Sequence, residues 1–242
     1  MTADAGTVIY SKHDAVALIV LNRPEVINAF NMQMRDELYA TLAAAADDPD
    51  VRAIVVSGSG DRGFCVGADL TEFGTAPSQV TAREVRWERD LWGLFLGVRK
   101  PLVAALHGHV IGSGVEIACL CDIRIAADDA VFRMPETALG MVPAAGGTQT
   151  LPRIVGRGRA LEMLLGSSPV DADRALEIGL VHRVVSRESL DAEARSQAQQ
   201  ISRLDSGAVA ALKQAVIDGS DLPFDEGLAL ERRLAGGLLA SR

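Results

Sequence analysis

The chain reads as an α/β protein with a mainly parallel sheet, and three observations carry that expectation. Apolar strand-like runs alternate with helical segments at least three times, the signature of βαβ units. Beyond Gly146 the pattern turns almost wholly helical. A length of 242 residues with 48% hydrophobic content suffices to bury a full core and a helical annex.

The elements follow in order. TVIY, a turn at Lys12 to Asp14, and AVALIVL predict a hairpin. Asn31 then caps a helix over NMQMRDELYATLAAAA, in which Met34, Leu38 and Leu42 recur at helical spacing and the turn DDPD ends the run. VRAIVVSG predicts a buried strand, SGDRGFCVGADL a loop, and Thr81 to Val98 one long helix. That helix carries two apolar stripes, Trp87, Leu91, Leu94 and Val98 on one side and Val85, Trp92 and Phe95 on another, so it should be largely buried. PLVAALHG is a strand, GSGVEIACL a short helix entered through glycines, and CDIRIAA a further strand. Helices follow at TQTLPRIVG, GRALEMLLG and DADRALEIG, the last with Asp171 as N-cap and Gly179 as stop, before a short strand at LVHRVV. The final fifty residues predict three helices with apolar faces, suited to packing on a neighbouring subunit.

Composition narrows the function classes. No apolar run approaches the roughly 20 residues of a membrane helix, and MTADAGTVIYSKHD has neither basic segment nor signal core. We therefore expect a cytoplasmic protein with no membrane partner. Cys65, Cys119 and Cys121 offer no zinc spacing and read as reduced packing residues, so no metal is expected. The formal charge of -8, without a basic block, argues against nucleic acid and against an RNA-binding role for the fold.

Four candidate motifs compete. Gly58-Ser59-Gly60-Asp61-Arg62-Gly63 spells G-x-G-x-x-G after a strand, but no helix opens on the glycines and no second strand comes until Pro101, so a dinucleotide fold is disfavoured. Ser113 near His107 and His109 is not in a G-x-S-x-G frame, which leaves the histidines structural. Two glycine turns, Gly67-Ala68-Asp69 and Gly112-Ser113-Gly114, free backbone N–H groups that together could form an oxyanion hole, although glycine is equally at home in any sharp turn. Finally, Glu116 and Glu136 stand twenty positions apart in apolar turns. Desolvation should raise their pKa values towards neutrality, where a carboxyl both gives and takes protons. A cap or an ion pair with Arg124 or Arg133 is the alternative use.

These residues, together, resemble a known family. Phe64-Cys65-Val66-Gly67-Ala68-Asp69-Leu70, Gly112 to Ala118, Pro135 to Gly140 and Pro143 to Gln149 look like the enoyl-CoA hydratase/isomerase (crotonase) superfamily, with Asn22-Arg23-Pro24, Asn28-Ala29 and Ala175 to Val181 as further matches. The resemblance implies a crotonase-like spiral of ββα repeats over residues 1–190, carrying an acyl-CoA site. Residues 191–242 would form a C-terminal helical trimerisation region, and the chain would assemble as a homotrimer or hexamer. The chain ends at Arg242, short of the family's usual end, so a final helix near the CoA site is expected to be lacking.

The resemblance also implies roles. Backbone N–H groups of Ala68 and Ser113 would hold the thioester oxygen, and Ala68, Asp69, Leu70, Gly112 and Ser113 would contact substrate. Glu116 would act as base on a water and Glu136 would deliver a proton to the α carbon. The implied activity is hydration of a 2-enoyl-CoA, with an acyl-CoA isomerase or a specialised hydratase using the same oxyanion hole as the alternative. No cofactor is implied, because coenzyme A is part of the substrate. The chain departs from the family's usual pattern at Ser113, Ala144, Thr150 and Val26.

Overall fold

A computed structural model describes residues 6–72, 75, 78 and 88–240. The hairpin pairs β1 (Val8–His13) antiparallel to β2 (Val16–Leu21), with Val8 opposite Leu21. Its turn is tighter than expected: Lys12 and His13 stay in the strand, and Asp14 turns the chain with φ 52°. Helix α1 (Met32–Asp47) starts where Asn31 accepts a hydrogen bond from Met34 N–H, satisfying one orphan donor of the first turn. Met34, Leu38, Leu42 and Ala45 form its buried face.

β3 (Ala53–Gly58) pairs parallel to β2. The long helix expected over Thr81 to Val98 is not continuous. Asp90 caps a separate helix α2 (Leu91–Gly97) by accepting from Gly93 N–H, and this local competition for the backbone interrupts the run. Trp87 and Val85 lie outside the described residues. In α2 the buried face is Leu91, Phe95 and the following Val98, which draws on both expected stripes.

β4 (Leu102–Leu106), β5 (His109–Ile111), α3 (Ser113–Leu120), β6 (Ile123–Ala127) and β7 (Val131–Arg133) come next. Then follow α4 (Gly147–Val155), α5 (Arg157–Gly166), β8 (Val170–Asp171), α6 (Ala172–Glu177) and β9 (Arg183–Val185). Six strands form one sheet in the order β1-β2-β3-β4-β6-β9, parallel from β2 onward, and β5-β7-β8 form a second. Successive turns of chain place one strand in each sheet. β4 pairs with β6 while β5 pairs with β7, and Cys65 bridges Val110 in the turn before. This stacking of strand, strand and helix is the expected spiral. β5, β7 and β8 were not predicted, because two or three residues are too few to show an alternation.

Both faces of the central strands β2, β3, β4 and β6 are buried, as their near-continuous apolar sequences require. Ala17, Ile19, Ile54, Val56, Leu102 and Ala104 face α1 to α3; the alternate residues Val16, Leu18, Val55, Val103, Ala105 and Ile125 form a second cluster. Leu190, Ala194 and Ala198 of helix α7 (Leu190–Ser202) cover that second cluster. α7, which begins at the expected boundary at 190/191, seals this face of the sheet. α8 (Ser206–Gly219) and α9 (Phe224–Ala240) pack on each other around an apolar hollow of about 710 Å³, and Lys213 ties α8 to the core through Asp122 and Lys100 O. Among the described residues no helix is long and apolar enough to cross a membrane.

Candidate active site

The site is built on two tight turns that touch. Gly112 has φ 53° and ψ −116°, a conformation open to a residue without Cβ, and it delivers the chain into the first turn of α3. A Cβ on Gly112 would lie 2.8 Å from Glu136 Oε1 and 3.6 Å from Gly67 Cα. Gly67, with φ 93°, is its counterpart; a Cβ there would meet Ile111 O at 3.1 Å. Gly114 brings α3 against the Cys65 segment so closely that a Cβ would strike the Cys65 carbonyl oxygen. These glycines are demanded by backbone approach, and they set Ala68 beside the start of α3.

At that start the Ser113 N–H has no intrahelical partner. Neither it nor the Ala68 N–H donates a hydrogen bond to the chain among the described residues. The structure thus brings the two expected donors together. Asp69, Leu70 and Gly112 lie in the same two turns, with different side-chain surroundings. Leu70 is 55% exposed. The Asp69 carboxylate is taken up by Arg23 at 3.0 Å and by the Thr71 N–H and hydroxyl, and its backbone N–H and carbonyl are bonded to Phe30 O and Glu72 N–H, so Asp69 serves to hold the turn.

Glu116 sits on α3, buried with the rest of the helix. Its Oε1 accepts from Ala145 N–H at 2.9 Å and Gly147 N–H at 3.0 Å. Those amides are free because Gly146, at φ 97°, turns the chain into α4 just there. Gly147 cannot carry a side chain without meeting Glu116 Oε1 at 2.9 Å. Two N–H donors on one oxygen fix the position of the carboxyl group.

Glu136 opens a short 3-10 turn, Glu136–Leu139, behind Pro135. Its Oε2 is buried and has no hydrogen-bond partner. Burial pushes its pKa above the ordinary carboxylate value, and the nearby charge of Glu116 pushes it further in the same direction. The two carboxyls therefore sense each other while resting in opposite environments.

The competing uses of these residues are met elsewhere. Arg124 donates to Leu180 O and Cys121 O, and Arg133 to Ser167 O. His107 is buried, with its ring Nε2 2.9 Å from Gly60 O, and burial lowers its pKa. The G-x-G-x-x-G loop is a clamp. The Asn28 amide, fully buried, donates to Ser59 O and Gly63 O, while Arg62 donates to Pro24 O and Glu25 O. Among the described residues no three His, Cys, Asp or Glu side chains cluster as a metal site would need.

Sequence reasoning missed the Ala145 and Gly147 amides as holders of Glu116. Their signal was Gly146-Gly147, a pair that both turns the chain and admits a close carboxylate. It also missed the roles of Arg23 and Asn28, whose partners lie 46 and 31 positions away in the chain.

Comparison with known proteins agrees with this arrangement. Residues 11–241 match the family model described as enoyl-CoA hydratase/isomerase. The chain is 38% identical over 230 residues to the probable enoyl-CoA hydratase EchA8 of Mycobacterium tuberculosis, covering 94% of this chain and 88% of that protein. It is 36% identical over 236 residues to the crotonyl-CoA hydratase of Syntrophomonas wolfei, covering 97% and 90%. The solved structure of an enoyl-CoA hydratase subunit from Geobacillus kaustophilus superposes with a TM-score of 0.92 at 35% identity, covering 98% of this chain and 91% of that one. With its spiral fold, its paired glycine turns and a match across nearly its whole length, the chain belongs to the enoyl-CoA hydratase/isomerase family.

Proposed function

We propose that the protein is an enoyl-CoA hydratase that adds water across the 2,3 double bond of a 2-enoyl-CoA thioester, and runs the reverse dehydration equally. The observation that carries this reading is the joint presence of Glu116 and Glu136 beside two free backbone donors. Relatives named as enoyl-CoA hydratases support it.

The roles follow from the two environments. Glu116, held in place by its two amide partners, accepts the proton of a water as the water oxygen bonds to C3. The π electrons move onto the thioester oxygen, which the Ala68 and Ser113 N–H groups stabilise; one such donor is worth about 10²- to 10³-fold in rate. Glu136, whose protonated form is favoured by burial, protonates C2 as the carbonyl re-forms. Product release and exchange with solvent then return a proton to Glu136 and remove one from Glu116. No cofactor is required by this scheme, since coenzyme A is carried by the substrate.

The same proposal covers assembly and location. A homotrimer or a hexamer would cover the apolar faces of α8 and α9, where Leu212, Val216, Phe224 and Leu239 stand well exposed. Three buried, unpaired thiols suit a reducing, cytoplasmic setting.

The test is loss of the conjugated thioester absorbance of crotonyl-CoA on incubation with the protein. Turnover by wild type, abolished in Glu116→Gln and Glu136→Gln, is expected. An inactive wild type refutes the reading for short chains. A Glu116→Gln variant that still shifts the double bond of a 3-enoyl-CoA would favour an isomerase instead.

A further inference from the structure

Ala68 is the middle residue of a segment whose two neighbours are both bonded to Phe30. Phe30 N–H donates to Gly67 O at 2.8 Å, and Phe30 O accepts from Asp69 N–H at 2.9 Å. In a trans peptide the C=O and N–H point in opposite directions, and no described peptide bond is cis. Holding the Gly67 carbonyl towards Phe30 therefore turns the Ala68 N–H the other way. The direction of that donor is set by how firmly the two segments stay paired.

One side chain closes the pairing at both ends. Arg23 Nη1 donates to Ala29 O at 2.6 Å, next to Phe30, and to Asp69 Oδ2 at 3.0 Å, next to Ala68. The other Asp69 oxygen is held by Thr71, and hydrogen bonds from Thr71 and then Arg23 keep this carboxyl below its ordinary pKa. Arg23 is itself anchored: its N–H donates to Asn28 Oδ1 at 2.8 Å and its carbonyl accepts from Asn28 N–H at 2.8 Å. The side chains of the ion pair are only 18% and 14% exposed, so water competes weakly for them.

We propose that Arg23 is a positioning residue for the hydration reaction: by bridging Ala29 O and Asp69 it holds the Gly67–Ala68 peptide plane, and with it the Ala68 N–H, in line with the thioester oxygen. The role rests on the hydratase reading above. Because negative charge grows on that oxygen only in the transition state, misdirecting the donor lowers kcat rather than raising KM. A displacement near 1 Å at a reacting centre costs about 10²-fold. A bridge that merely staples two loops would lower thermal stability and leave carbonyl polarisation intact.

The experiment uses the full chain as wild type, Arg23→Gln, Arg23→Lys, Asp69→Asn and the double variant Arg23→Gln/Asp69→Asn. Two readouts are taken: kcat and KM on crotonyl-CoA, and the red shift in absorbance of a bound aryl-enoyl-CoA, which reports carbonyl polarisation without turnover. The expected result is a kcat lower by about 10- to 100-fold with KM within about threefold. The probe's red shift should shrink, and the double variant should lose no more than the worse single one, as groups acting through one peptide do. If Arg23→Gln does not fold, Arg23→Lys, which keeps the charge on a shorter side chain that reaches less far towards Ala29 O and Asp69, is expected to show the same changes in smaller degree. Unchanged kcat and red shift in folded variants, or a loss confined to KM, overturns the proposal while leaving the hydratase reading standing. A wild type that neither hydrates crotonyl-CoA nor shifts the probe overturns both.

Discussion

Replacing Glu116 separates its structural duty from its chemical one. In Glu116→Ala, the Ala145 and Gly147 N–H groups lose their shared acceptor inside a buried site. A buried donor left unsatisfied costs about 1–3 kcal/mol, so the pair costs roughly 2–6 kcal/mol, less whatever water enters the space. In a protein of this length that lowers Tm by roughly 5–20 °C. Glu116→Gln behaves differently, because an amide oxygen placed at Oε1 still accepts both bonds. It loses only the charge assistance, about 1 kcal/mol, and so its Tm should stay within a few degrees of wild type. Both variants lose the base, and hydration of crotonyl-CoA should fall by about 10²- to 10⁴-fold in each. Calorimetric melting beside the absorbance assay reads both quantities. Equal melting temperatures for the Gln and Ala variants would refute the assignment of the two amides to Glu116; wild-type turnover in Glu116→Gln would refute its role as base.

Other substitutions and conditions test the remaining parts of the site. Glu136 has a folded pKa raised above its ordinary 4.5, so between those two values the native state binds more protons than the unfolded chain and stability falls as pH rises. Glu136→Gln should therefore melt higher than wild type at about pH 8, show no such gain at about pH 4, and lose activity throughout; a variant less stable at both pH values would contradict the raised pKa. Ser113 is the first residue of α3, a position where proline is tolerated and only the N–H is lost. Ser113→Pro should fold and lose about 10²- to 10³-fold in kcat, whereas Ser113→Ala, which keeps the N–H, should remain within a few-fold of wild type. Burial pushes Cys65 and Cys121 up to about 12 and Cys119 to about 11, so a thiol reagent near pH 8 should label none of them until the protein is denatured.

Much of the fold was legible because its signals are local. Asn31 and Asp171 accept from the N–H three residues on, as helix caps do within a single turn, and β2, β3 and β4 are long enough to declare themselves by composition. What failed also failed locally: Asp90 broke a helix that apolar periodicity alone would have continued, and β5, β7 and β8 are shorter than any pattern. The packing of the C-terminal helices was illegible for another reason. Helix α7 has the same amphipathic look as α8 and α9, and only the sheet beneath Leu190, Ala194 and Ala198 shows that it completes the core.

For the site, the sequence by itself determined which groups are present: two carboxylates in apolar turns, and two glycine turns that free backbone donors. Tertiary structure alone decided what each can do. Glu116 and Glu136 have the same side chain, and nothing in their flanking residues separates them. The separation comes from amides 29 and 31 positions away that converge on Glu116, while a buried oxygen of Glu136 meets no donor. Desolvation and hydrogen bonding act through space at a few ångströms, so the ionisation of a carboxyl belongs to the packed site rather than to the order of residues that builds it.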